Sequence, residues 1–203
     1  MEKISLEGWQ EYILEDSKKI LKVSNQINFV LKNIKEQKKI NKNDDVILKN
    51  NFNEVLRYWT GLTDVGYQKK LPIEKAFQKF FGSVMELLLF CYNSNNIKIK
   101  KEVEPILYKG TLYRCLGYGE PVNKNKYIEP NCDNIWVSWS KNKNIDSILS
   151  NKLYGPITKI QCNTEGYYGI DLTALKCSKP NENEVVFPTK KEIKLDIVKI
   201  PNE

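Results

Sequence analysis

Through the first half of the chain, apolar positions recur every three or four residues. Ile13, Ile20, Val23, Ile27, Val30, Leu31 and Ile34 form one such stripe, the mark of a helix with one buried face. The Asn- and Lys-rich stretch from Lys38 to Asp45 interrupts it, and a second helix is predicted over Val46 to Trp59. Pro72 stands at the start of a third, where its missing N–H costs nothing. That helix runs to Cys91, with Ala76, Phe77, Phe80, Phe81, Val84, Leu87 and Leu88 as its core face, and Asn93 to Asn96 ends it. From Glu104 the period changes to two. Ile106–Leu116, Ile135–Ser138, Thr158–Cys162, Tyr168–Leu172, Glu184–Phe187 and Glu192–Ile200 are strand candidates separated by Asn-, Lys- and Gly-rich connectors,. In the last of these, Ile193, Leu195 and Ile197 alternate with Lys194 and Asp196, as in a half-buried strand. Helices first and strands afterwards predict an α+β fold, not βαβ alternation.

Composition narrows the chemistry. With 203 residues and 41% hydrophobic content the chain can bury a core of its own,. Histidine is absent, which removes mechanisms built on an imidazole base and the commonest metal ligand. Cys91, Cys115, Cys132, Cys162 and Cys177 are scattered and odd in number, so reduced thiols are expected, with neither a disulfide framework nor a zinc site. The first residues carry no apolar signal region, and the longest apolar run, Leu87 to Cys91, is too short to span a bilayer,. The expected location is cytoplasmic, or inside a host cell reached without a cleaved signal. The net charge of +7 favours acidic partners or a dianionic cofactor, although solvated surface lysines are the more ordinary account of it. Only Arg57 and Arg114 are arginines. Against so many lysines they stand out, because lysine cannot copy the bidentate guanidinium fork.

Three segments carry candidate chemistry. Leu112-Tyr113-Arg114-Cys115-Leu116-Gly117 places an arginine inside an apolar strand, where burial without a partner is costly; alone, it reads as a salt-bridged strand-end residue. Ile135-Trp136-Val137-Ser138-Trp139-Ser140 puts two serines on one strand face,; alone, it reads as an ordinary edge strand. Asn181-Glu182-Asn183-Glu184-Val185-Val186-Phe187-Pro188 sets two glutamates at the mouth of an apolar strand. In extended backbone both carboxylates point the same way, and such a pair can divide two roles between two acids. Alone, it reads as a charged strand entry.

Taken together, in the order Arg, Ser-x-Ser, Glu-x-Glu, the segments resemble the Arg-Ser-Glu class of mono-ADP-ribosyltransferases, the cholera-toxin-like group. The most specific part is Gly169-Ile170-Asp171-Leu172-Thr173-Ala174-Leu175 leading into Glu182–Pro188, which is similar to the family's turn-turn loop and catalytic strand. The resemblance covers roughly residues 104 to 200. It extends into the helices through Tyr58-Trp59-Thr60-Gly61 followed by Tyr67. Cys115 stands where the family usually has glycine, and Trp139 where it has threonine.

The resemblance implies one domain over residues 1–203, with a mainly helical part at 1–103 and a mainly β, NAD-binding core at 104–203. It implies the ADP-ribosyltransferase fold: N-terminal helices, then a β-sandwich of two roughly perpendicular sheets. NAD is the implied substrate. Arg114 would grip its pyrophosphate, Ser138 would orient Glu184, and Ser140 would support that strand or the nicotinamide ribose. Glu184 would stabilise the cation formed as nicotinamide leaves. Glu182 would activate the acceptor, and a Glu at this place goes with arginine acceptors on a target protein. Gly117 and Tyr154 complete the implied cofactor site, Tyr154 by stacking on nicotinamide. The implied role is a bacterial or phage effector or toxin, with an antitoxin or host activator as a further partner. Three alternatives remain: transfer to nucleic acid, a non-catalytic binding module of the same fold, and a pure NAD glycohydrolase.

Overall fold

The computed structural model describes residues 6–38, 42–61, 71–116, 122–123, 126–127, 135–150, 158–177, 182–189 and 193–199. The chain forms two compact units, residues 1–95 and 96–203. Gly117, Tyr154, Tyr67 and Cys132 lie outside the described residues.

The first unit is helical, with α1 at Leu6–Lys35, α2 at Lys42–Gly61 and α3 at Leu71–Tyr92. The stripe of α1 is buried at Ile20, Val23, Ile27 and Leu31. It packs against α3, which contributes Ala76, Phe77, Phe80, Phe81 and Val84, all fully or nearly fully buried. Ser24 and Ser83 meet within this contact at 2.8 Å. Their hydroxyls satisfy each other, and their small size lets the two helices approach closely. Trp59 of α2 sits edge-on against Phe77 and Phe81, with centroids 5.0 and 4.8 Å away, a favoured aromatic geometry. No helix among the described residues is long and apolar enough to cross a membrane.

The second unit opens with α4, Ile97–Val103, whose first turn is capped by the Asn96 side chain accepting from the N–H of Lys98 and Ile99,. A 3-10 turn at Glu104–Ile106 leads into the strands. These are β1 (Leu107–Tyr108), β2 (Thr111–Leu116), β3 (Val122–Asn123), β4 (Lys126–Tyr127), β5 (Ile135–Ser140), β6 (Thr158–Asn163), β7 (Gly169–Asp171), β8 (Glu184–Thr189) and β9 (Leu195–Lys199), with α5 at Ile145–Ser150 between β5 and β6. The architecture is α+β, as the change of period predicts.

Seven strands hydrogen-bond in the order β1-β7-β8-β5-β2-β6-β9, and β3 pairs with β4 in a separate ribbon. Every strand pairing among the described residues is antiparallel. Two separate large sheets were expected, and the hydrogen bonding instead runs as one ladder. Its weak point is the junction of β2 with β5, where a single pair, Tyr113↔Ser140, is shared. The neighbouring ladders β5–β8 and β2–β6 each run over six pairs. A four-strand half and a three-strand half therefore meet at a one-residue seam.

The predicted strand Ile106–Leu116 is also two strands. Gly110 adopts φ +141 between them, a conformation open to glycine. Thr164 fixes the break: its hydroxyl accepts from the Gly110 N–H, and its own N–H donates to the Gly110 carbonyl. The chain thereby leaves the sheet edge at β1 and re-enters beside β6. Leu112, Leu116, Val137, Trp139, Ile160, Cys162, Val185, Phe187, Ile193 and Leu195 form the core of this unit.

Candidate active site

The site follows from the register of β5 against β8. Ser138 faces Val186 and Ser140 faces Glu184, and directly paired residues share a sheet face. Ser138, Ser140 and Glu184 therefore lie on one face, while Val137, Trp139, Val185 and Phe187 turn into the core on the other. Glu184 and Ser140 are buried and Ser138 is exposed. Trp139 is part of the core packing.

Glu182 does not continue the strand. Asn183 has φ +47, a left-handed conformation that asparagine tolerates better than most residues. This overturns the expectation of extended backbone from Glu182 to Glu184, so simple alternation no longer aligns the two carboxylates. What fixes them is a turn whose three successive carbonyls are each held. The Ser140 hydroxyl donates to the Glu182 carbonyl, the Lys141 N–H to that of Asn183 at 3.0 Å, and the Leu172 N–H to that of Glu184 at 3.0 Å. The Ser140 hydroxyl also accepts from the Asn142 N–H, so its hydrogen bonds are spent on the backbone of the site.

Asp171, at the end of β7, is buried and opposite Val185. Its Oδ1 accepts from the N–H of Thr173 and Ala174, and its Oδ2 meets Lys141 Nζ at 2.6 Å. Residues 172–177 follow as consecutive turns, closed by Leu175 N–H to Asp171 O, Lys176 N–H to Thr173 O and Cys177 N–H to Leu172 O. Tyr108 borders this cluster, with its ring centroid 5.9 Å from Lys141 Nζ. Burial, and after it the Asp171 carboxylate, raise the Tyr108 pKa above the ordinary phenol value. The phenol stays protonated and donates to Thr111 O.

Arg114 sits opposite Ile160 on β2, one residue from Tyr113, the residue that pairs with Ser140. Alternation gives the Ser140 face to Tyr113 and Cys115. Arg114 falls on the side of Leu112 and Leu116, half-buried among fully buried neighbours. The fold thus brings Ser138, Ser140 and Glu184 together, joins Glu182 to them through the turn, and leaves Arg114 at the seam on the alternate side of its strand. Across β2 and β6, Lys159 is opposite Cys115 and is buried, with Nζ 2.8 Å from Asp146 Oδ1 and 3.1 Å from Lys143 O.

Lys141, Asp171 and Lys159 were not singled out from the sequence. For Asp171 a signal existed, since Asp before Thr and Ala is the pattern of a side chain that caps its own following turn. Lys141 and Lys159 carry no such local mark. The helical segment Tyr58-Trp59-Thr60-Gly61 serves its own unit: Trp59 packs on the phenylalanines, Thr60 Oγ1 donates to Leu56 O, and α2 ends at Gly61.

Searches of protein-family models, curated proteins and solved structures found no match for this chain.

Proposed function

We propose that this protein is an NAD-dependent mono-ADP-ribosyltransferase acting on an arginine side chain of a target protein. The observation that carries the reading is the β5–β8 pair, in which Ser138, Ser140 and a buried Glu184 share a face beside the tethered turn bearing Glu182. The sequence order and the turn run from Asp171 to Cys177 agree with it. The role of Arg114 on the pyrophosphate rests on the resemblance alone.

In this reading the glycosidic bond of NAD breaks, and nicotinamide leaves with the bonding electron pair as a neutral ring. The Glu184 carboxylate stabilises the oxocarbenium-like ribose, as carboxylates do in glycoside hydrolysis. The lone pair of an acceptor guanidine nitrogen forms the new bond to the anomeric carbon. The guanidinium proton passes to Glu182, which releases it to water. Water replaces the acceptor in the competing hydrolysis.

The test is purified protein with labelled NAD and a cell lysate, beside Glu184→Gln and Glu182→Gln. Wild type releases nicotinamide and labels protein. Glu184→Gln abolishes both, and Glu182→Gln loses transfer to arginine while hydrolysis persists. No nicotinamide release with protein, RNA or DNA as acceptor would replace this reading with a non-catalytic binding module.

A further inference from the structure

We propose that Lys141 and Asp171 are positioning residues: their ion pair holds Glu182 in place relative to Glu184 and so sets how the reaction divides between acceptor and water. The proposal rests on the transferase reading above and assigns a second layer to the same site.

The argument starts from the backbone. Glu184 stands in the ladder opposite Ser140, and the Leu172 N–H holds its carbonyl. Glu182 precedes the ladder and is held through the turn, by the Ser140 hydroxyl on its own carbonyl and the Lys141 N–H on that of Asn183. Both of those donors stand at the end of β5. On the other side, the Leu172 N–H that holds Glu184 directly follows the end of β7. The 2.6 Å contact of Lys141 Nζ with Asp171 Oδ2 is the side-chain tie between these two strand ends.

The chemistry of the pair suits a fixed geometry. Asp171 is 7% exposed at its side chain and Lys141 27%, so the contact is not the solvent-screened kind that holds little. Both Asp171 oxygens are committed, Oδ1 to the two amides that begin the turn run and Oδ2 to the ammonium. The Tyr108 ring lies on a further side of the ammonium. With the pair lost, the end of β5 and the start of the turn run can move apart. Glu182 moves with them more than Glu184 does. Transfer needs Glu182 to receive the guanidinium proton as the acceptor nitrogen bonds to the anomeric carbon and nicotinamide departs; hydrolysis does not need it.

The test compares Lys141→Met, Asp171→Asn and the double variant. Asn at position 171 keeps an Oδ1 acceptor for Thr173 and Ala174, so only the ion pair is removed. Lys141→Met alone strands a buried carboxylate and destabilises the fold. The double variant has no stranded charge and returns toward wild-type stability, which separates positioning from folding. Nicotinamide release and ADP-ribosylation of agmatine, a small guanidine acceptor, are measured on each. The ratio of transfer to hydrolysis in the stable double variant falls on the order of tenfold, and the single variant Lys141→Arg, which keeps the ion pair, keeps the wild-type ratio. A wild-type ratio in the double variant would overturn the proposal, as would an equal fall in both activities. Amide exchange at Lys141 and Leu172 is read on the same proteins. Should wild type release no nicotinamide, the transferase reading fails while the tether is still judged: faster exchange in the double variant supports it, and unchanged exchange overturns it.

Discussion

Gly169 shows how little a single residue must lack to place a site. A Cβ there would overlap Val185 Cγ1, so glycine lets β7 lie close against β8. That approach sets Asp171 opposite Val185 and lets Leu172 reach the Glu184 carbonyl. Gly169→Ala forces the strands apart and is expected to cost about 2 kcal/mol of stability, read as a lower urea midpoint, with weaker amide protection at Leu172. Asn183 makes the converse point. Its left-handed backbone turns the Glu-x-Glu segment from an extended strand entry into a held turn. The identities of the two glutamates were readable from the chain. Their geometry was not, because asparagine occupies extended and left-handed backbone alike, and the choice is made by donors from β5 and β7 that are distant in sequence.

Among the elements, α5 and β6 show how a short helix is fixed beside the seam. The face of β2 and β6 that carries Cys115 and Lys159 is the side toward α5, whose Ile145 is buried and whose Asp146 takes the Lys159 ammonium. Both side chains are largely out of water, at 9% and 15% exposure. A pair of this kind owes its effect to mutual compensation, and removing one member leaves an unbalanced charge. Asp146→Asn is expected to destabilise the protein by about 3 kcal/mol, measured by chemical denaturation. Strand existence was readable at this scale from alternation: every strand of the seven-stranded ladder overlaps a predicted run. Pairing was not. Gly110 divides one predicted strand between two places in the sheet, and the single-pair seam replaces the expected gap between two sheets.

At the scale of the whole molecule, the chain resolves into two compact units that divide at residues 95 and 96, and the change of hydrophobic period near residue 104 comes one short helix, α4, later. The second unit carries a pH liability in its core. Burial, reinforced by Glu165, pushes the Cys162 thiol up to about 12 from its ordinary 9.0. The folded protein therefore holds this proton where the unfolded chain has released it. Its contribution is fully present below pH 9 and is lost as pH rises from there toward the folded value. The slope expected from this one group is a fall of about 1.4 kcal/mol per pH unit at most. Denaturant midpoints collected at pH 8, 9 and 10 should show that fall, and Cys162→Val should flatten it. The same thiol should resist modification in the native state, since the thiolate is the reactive form.

Periodicity, composition and turn chemistry act over a few residues, so the chain alone specifies its three long helices, most of its strands and the types of side chain available for chemistry. The absence of histidine and the order Arg, Ser-x-Ser, Glu-x-Glu belong to that level. The rest depends on residues far apart in sequence being brought into register. Ser140 meets the Glu182 carbonyl across 42 positions, and Lys141 meets Asp171 across 30. No local pattern encodes those pairings, because each partner's backbone preference is satisfied equally well without the other. Only the packing of β7 and β5 on either side of β8 selects them, and with them the tether on the two glutamates.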